Sequence, residues 1–443
     1  MANPKFSRKE SALLLDELVR RGVEILAPDT VALDEIDPAR IEGGVRIYPG
    51  CTIRGSRTLL RRGCELGRAG GGYFENVACG ANVALYGGYF QDCTFLDGVT
   101  VRGHAEMRGG TLLEEGCEAA HHVGYKMTIM LPFVVAGSLV NFCDAFVSGG
   151  TGRDDHSEIG STIALYNFTP WADKFASLFG DVPQGVFLRS RPIFVGGQSQ
   201  IVSPVQVGFG AVIAAGTAVR RDVPAGRLYG EAAPVLDQPF DPERYGTLLP
   251  KVRTTIAFIA NLRALELWYR EVRQPLAKDK LQRALYESAE AQIRAGIGER
   301  IKRLGGLVAK LPRSIERHIA LGGSRERIAE QRALLDLWPT LEADLSQGDD
   351  SPIDSARSAL AELADTLRPR LQAGAGFVDA LRGELPSELI ARCADELIRR
   401  TPLFVLAEAL ESKLASSRSS AVDDAHRERR SRLLAEDGGE ALE

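Results

Sequence analysis

RPIFVGGQSQIVSPVQVGFGAVIAAGTAVRRDV, residues 191–223, places Val195, Ile201, Val207, Ile213 and Val219 at intervals of six. Gly196, Gly208 and Ala214 each follow one of these aliphatics. A period of six fits neither an α-helix, with about 3.6 residues per turn, nor a half-buried strand with its period of two. It fits a left-handed parallel β-helix of hexapeptides. There one aliphatic per hexapeptide points into a narrow prism, and a small neighbour lets the chain turn the corner.

The same grid extends upstream and defines a β-helix over 45–230. Ile47, Ile53 and Leu59 keep the spacing at its start, and Phe95, Val101, Met107, Leu113, Ala119, Tyr125 and Leu131 keep it later. Extra glycines between Gly67 and Gly88 predict irregular corners. Residues 148–190 break the pattern with charges, turn residues and aromatics, and read as inserted binding loops. Residues 1–44 read as a short helix, Ser11 to Arg21, and an extended lead-in. Ser7 and Glu10 form a capping box, and Gly22 ends the helix. Beyond Pro250, Val252, Ile256, Ile259, Leu262, Leu265 and Tyr269 recur at three and four residues, a helical period. Similar patterns over 278–296, 326–345, 355–371 and 386–414 predict an all-α domain over 247–414. A polar tail, 415–443, follows.

A chain of 443 residues, 44% hydrophobic and 26% charged, has room for two or three ordinary domains. A net charge of -5 gives no support to nucleic-acid binding. The run Ile129 to Val140 contains Pro132 and is too short to span a bilayer, so no membrane span is expected. The sequence MANPKFSRKE lacks a signal peptide's apolar core, which points to the cytoplasm. The seven cysteines form no CxxC pair. Cys51, Cys93 and Cys117 share one phase of the grid, as small buried thiols stacked in the prism would.

The informative polar clusters are HAEMRGG from His104, HHVGYK from His121, VNFCD from Val140 and YNFTPWADK from Tyr166. Taken in this order, the chain resembles the glucosamine-1-phosphate N-acetyltransferase half of the bifunctional bacterial enzyme of UDP-N-acetylglucosamine synthesis. LLLDELVRRGVEILAPDTVALDE resembles that family's linker. Glu106-Met107-Arg108 resembles its Glu-Met-Lys segment, His122-Val-Gly-Tyr125 its His-x-x-Tyr, and Val140-Asn141 its Val-Asn. Asn167-Phe168 with Lys174 resembles its Asn-Tyr followed closely by Lys, and residues 196–223 resemble its acetyl-coenzyme A end. The resemblance covers roughly residues 11–225. It implies an acetyl-coenzyme A-dependent homotrimer acting on an amino sugar phosphate or a nucleotide sugar. His122, Tyr125 and Asn141 would be catalytic, Glu106, Arg108, Tyr125, Asn167 and Lys174 would bind substrate, and Gly197 and Ala215 would meet the cofactor. No nucleotidyltransferase-like stretch or Gly-rich GxGTRM-like loop is present, so pyrophosphorylase activity is not expected. Arg108 replaces the family's Lys, two insertions flank Lys174, and the helical domain has no counterpart.

The residues support the same chemistry. Transfer of an acyl group from a thioester to an amine needs a base for the amine proton, and an imidazole titrates near neutrality. Tyr125 and Asn141 could steady the developing oxyanion, and Arg108 and Lys174 suit a phosphorylated sugar. Asn167 has an alternative as an asparagine ladder. His318 and His426 lie among charges and read as solvated. A zinc site would draw on His104, His121, His122 and His156, but their spacing lacks an H-x4-H signal, so no metal is expected. The second functional class is a non-catalytic β-helix scaffold that binds a sugar nucleotide, with the helical domain docking a protein partner.

Overall fold

Aliphatic and aromatic side chains six residues apart, with corners that tolerate a left-handed residue, wind the first half of the chain into a parallel β-solenoid of about 11 coils. The computed structural model describes residues 8–171, 173–232, 241–347, 358–407 and 410. One face is an 11-stranded parallel sheet running from Glu24–Ile25 to Leu228–Tyr229. The other two faces join into a 16-stranded sheet, because the seven-residue strands Gly124–Met130 and Asn141–Val147 bend across the corner between them.

Three interior columns fill the prism. Ile47, Leu66, Leu85 and Val101 stack in register on the first face. Ile53, Phe74, Phe90, Met107, Tyr125 and Phe142 stack on the second. Leu60, Cys79, Phe95, Leu113, Met130 and Val147 stack on the third. Val195, Ile201, Val207, Ile213 and Val219 are all buried in these columns. Two grid positions are corrected: Leu60 and Met130, not Leu59 and Leu131, point inward. Coils of unequal length move the inward position by one residue, which transfers a side chain to the opposite face. The glycine-rich corners have a steric cause. Gly88 lies at φ 134°, and a Cβ there would come within 2.0 Å of the Ala105 carbonyl oxygen. Cys51, Cys93 and Cys117 are buried thiols; burial pushes Cys51 up to about 11 and raises the other two as well.

Residues 148–190 are not a free excursion. Ser157–Ile159, Ala164–Tyr166 and Ser177–Phe179 continue the three faces, pairing with strands on both sides. The segments before and after Ser177–Phe179 bury Phe175, Val182, Val186, Phe187 and Leu188 against the helical half. The expected insertions are therefore docking elements.

The helices are α1 (Arg8–Arg20), α2 (Val182–Gly185), α3 (Leu249–Trp268), α4 (Lys280–Val308), α5 (Leu311–Ala320), α6 (Arg325–Ser346), α7 (Ala359–Gln372), α8 (Phe377–Arg382) and α9 (Ser387–Arg399). Ser7, His426 and the 415–443 tail lie outside the described residues. Gly22, at φ 86°, stops α1. α3 is buried almost all round, and α4 continues well past Gly296, which faces the Leu262 side chain. α4 packs along the third face of the solenoid, where Leu59, Ala78, Leu112, Ile129 and Phe146 turn outward into the helical core. His318 is buried, contrary to the expectation of a solvated side chain. α5 carries it inward, and its Nε2 meets the Tyr245 carbonyl at 2.8 Å.

Polar contacts lock this junction. A π-type turn, Tyr269–Arg273, aims Arg273 between two solenoid carboxylates. Its Nη1 donates to Glu115 at 2.6 Å and its Nη2 to Glu114 at 3.0 Å, with Phe377 stacked 4.2 Å from the guanidinium. Two buried carboxylates share one guanidinium, and burial lifts Glu114 to about 7 against the pull of Arg273.

Candidate functional site

One corner of the solenoid carries most of the chemistry. A ladder of peptide hydrogen bonds climbs it: His122 N–H to the Gly103 carbonyl, Leu139 to His121, Thr162 to Ser138, Gln198 to Ser161 and Gly216 to Gly197, at 2.8–3.2 Å. His104, His122, Leu139, Thr162 and Gln198 all sit at φ near +60°, the left-handed turn that every coil repeats here. His122 is exposed at this corner. Its Nδ1 lies 2.8 Å from Nδ1 of His121, and its ring stands 4.9 Å from the His104 ring one coil below. Gly197 and Ala215 occupy the same column. Gly197 lies three coils above His121, about 14 Å at the inter-strand spacing.

Beside the corner, the outer face of the second sheet presents two rows. Glu106 pairs with Gly124 and Gly124 with Asn141, so the missing side chain at Gly124 leaves a notch between Glu106 and the exposed Asn141. The adjacent row holds Arg108, Lys126 and the half-buried Cys143. Arg108 Nε lies 3.3 Å from Glu106, an exposed ion pair.

Tyr125 is corrected. Strand alternation puts it on the inner face between Met107 and Phe142, fully buried, with no hydrogen-bond partner for its hydroxyl among the described residues. Burial raises its pKa. A side chain enclosed in the prism cannot touch substrate, so its role is packing. Asn167 is corrected too, since it is buried and its Nδ2 donates to Asp144, whose other oxygen accepts from Arg300 of α4. Its amide is engaged by Asp144 and not by a stacked asparagine. Lys174 is half-buried at the edge of this group, with its carbonyl accepting from Arg300 Nη1 at 3.0 Å.

The structure therefore gathers His122, Asn141, Glu106 and Arg108 around one notch. It sets Lys174 beside Asp144, and aligns Gly197 and Ala215 with the histidine corner. His156 lies apart, against the Arg153 carbonyl at 2.8 Å. Among the described residues no group of three or more His, Cys, Asp or Glu side chains is arranged to hold a metal ion. No helix among them is long and apolar enough to cross a membrane.

With this geometry in view, the known relatives become informative. The chain is similar to bifunctional GlmU proteins. It shares 30% identity over 216 residues with that of Pelobacter propionicus, 48% of this chain and 42% of the relative. It shares 26% over 209 residues with that of a Nostoc strain, 47% and 42% of the two chains. The GlmU protein of Nitratidesulfovibrio vulgaris is 29% identical over 236 residues, 51% and 46%. The chain thus spans less than half the length of these GlmU relatives. No family model matches it.

Sequence reasoning left two contributors unassigned. Lys126 stands two residues from Gly124, on the same outer face by strand alternation, so its direction was legible. Arg300 belongs to a helix with no repeat or motif, and nothing in its surroundings tied it to the solenoid.

Proposed function

We propose that the chain is an acetyl-coenzyme A-dependent N-acyltransferase acting on an amino sugar phosphate or nucleotide sugar, working as a cytoplasmic homotrimer. The alignment of His122, Gly197 and Ala215 along one hydrogen-bonded corner, beside the Glu106–Asn141 notch, is the observation that carries this reading. In the proposed reaction His122 Nε2 accepts a proton from the acceptor ammonium. The freed amine attacks the thioester carbonyl and forms the C–N bond, and the C–S bond breaks as the thiolate leaves and takes up the proton that the attacking nitrogen sheds. For Nε2 to be free, Nδ1 of His122 must hold its hydrogen and donate it to Nδ1 of His121. Asn141 would donate to the developing oxyanion, and Arg108 and Lys174 would take the anionic group of the acceptor. The coils at Gly197 and Ala215 would receive the pantetheine arm.

A second reading, a sugar-nucleotide-binding scaffold whose helical half docks a partner, draws on the burial of Tyr125 and Asn167, two positions that the resemblance makes substrate contacts. One experiment separates the two. Acetyl-coenzyme A binding is measured by calorimetry, and thiol release is then followed with glucosamine 1-phosphate. In the first reading His122→Ala lowers thiol release by roughly 10²–10⁴-fold while binding persists. Absence of acetyl-coenzyme A binding by the unmodified protein rules the enzyme out.

A further inference from the structure

Helix α4 packs against the strand that carries Lys126, and its Arg300 meets the buried Asp144. Arg300, 1% exposed at its side chain, is ion-paired with Asp144 and also donates to the Lys174 carbonyl at 3.0 Å. Burial raises the Asp144 carboxyl, and the charges of Arg300 and then Lys174 draw it back, so the Lys174 ammonium lies within electrostatic reach of Asp144. One turn along α4, Arg303 Nε holds Glu299 at 2.7 Å. Burial of Glu299 is outweighed by Arg303, Arg300 and Lys126, and this carboxyl sits below its usual range. Among the described residues, no carboxylate lies within 4.0 Å of the Lys126 or Lys174 ammonium. Lys126 stands opposite Cys143 in the row that Arg108 begins, and Lys174 acts electrostatically on the same Cys143.

We infer that Arg300 is a positioning residue for the acceptor site: by satisfying Asp144 it keeps Lys174 free to bind an anionic acceptor. Remove Arg300, and Asp144 is a buried carboxylate whose nearest remaining cation is Lys174. The lysine is then withdrawn from the ligand. The helical half thereby sets the charge that an acceptor meets, with two lysines beside the exposed Arg108. The acceptor half of this inference rests on the acyltransferase reading; the charge arrangement does not.

The test measures both parts. Competitive labelling with acetic anhydride, read by peptide mass spectrometry, reports how available Lys174 is without substrate. Arg300→Met should slow labelling of Lys174 several-fold and raise the glucosamine 1-phosphate KM roughly tenfold, the loss of one charge-assisted contact, with the acetyl-coenzyme A KM unchanged. Arg300→Met with Asp144→Asn removes both charges and should restore labelling and KM, which a merely structural role of Arg300 would not do. Should Arg300→Met fail to fold, Arg300→Lys keeps the charge and should preserve the labelling rate. Unchanged labelling in folded Arg300→Met, or no recovery in the folded double variant, overturns the inference. Labelling that behaves as stated in a protein without turnover sinks the acyltransferase reading and leaves the charge arrangement standing.

Discussion

Replacing Arg273 with Met tests how the two halves are held together. Arg273 is 1% exposed and makes bonds of 2.6 Å to Glu115 and 3.0 Å to Glu114. Its removal leaves two carboxylates in a buried junction, and deleting one partner of a buried pair costs roughly 3–5 kcal/mol. Loss of the stack on Phe377 adds about 1 kcal/mol. Urea unfolding at pH 8, followed by circular dichroism, should show a loss of about 5 kcal/mol. The pH dependence carries the sign. In the folded chain Glu114 titrates at about 7, raised first by burial, against 4.5 ordinarily. Between those values the folded state holds more protons than the unfolded one, so this group's contribution to stability falls as pH rises, by at most about 3 kcal/mol. In Arg273→Met the cost should therefore shrink towards pH 5, where the stranded carboxyls take up protons. Arg273→Met with Glu114→Gln and Glu115→Gln should recover most of the loss. A cost under about 1 kcal/mol at pH 8, or one that grows as the pH falls, would refute the reasoning.

Tyr125→Phe should leave thiol release intact and stability unchanged or up to about 1 kcal/mol higher by urea unfolding, since the lost hydroxyl has no partner; a large fall in kcat would return Tyr125 to the site. His121→Ala should lower kcat more than it raises KM, and His121→Asn, which still offers an acceptor to His122 Nδ1, should restore it. Nitrogen NMR of the imidazoles checks the same point, because the Nδ1–H form of His122 should lose population in His121→Ala.

How legible the molecule was depends on whether neighbours in sequence are neighbours in space. Each coil stacks on the previous one, so Val195 to Val219 display the solenoid in a single line of sequence. The slips at Leu59 and Leu131 were invisible, because one residue more or less in a corner leaves the composition of a coil unchanged. The covered third face did leave a signal: consecutive apolar pairs at Leu59-Leu60, Leu112-Leu113, Ile129-Met130 and Phe146-Val147 mark strands buried on both sides. Within the candidate site, His122 and Asn141 followed from motif order. The inward turn of Tyr125 followed from strand parity once Glu106 and Gly124 were placed on the outer row. Arg300 did not follow from anything local, since its partner Asp144 lies more than a hundred residues away. The Glu299–Arg303 pair is an ordinary i,i+4 contact whose place beside the solenoid emerges only when α4 is laid against it.

The covered face also constrains the proposed assembly. A trimer of prisms brings neighbours together along their long sides, and here one of three sides is spent on α4 and its helical neighbours. A second side carries the Glu106–Asn141 notch and the histidine corner, which the proposed reaction would need reachable by both of its substrates. The first face keeps an apolar column at its last coils, where Phe194, Val212 and Leu228 stand exposed and in register. A subunit contact there would bury that column and bring a neighbour's side chains towards the Gly197 and Ala215 corner without displacing a helix. The helical half then narrows the ways in which copies of this chain can meet, while α4 sets the charge of the site they would share.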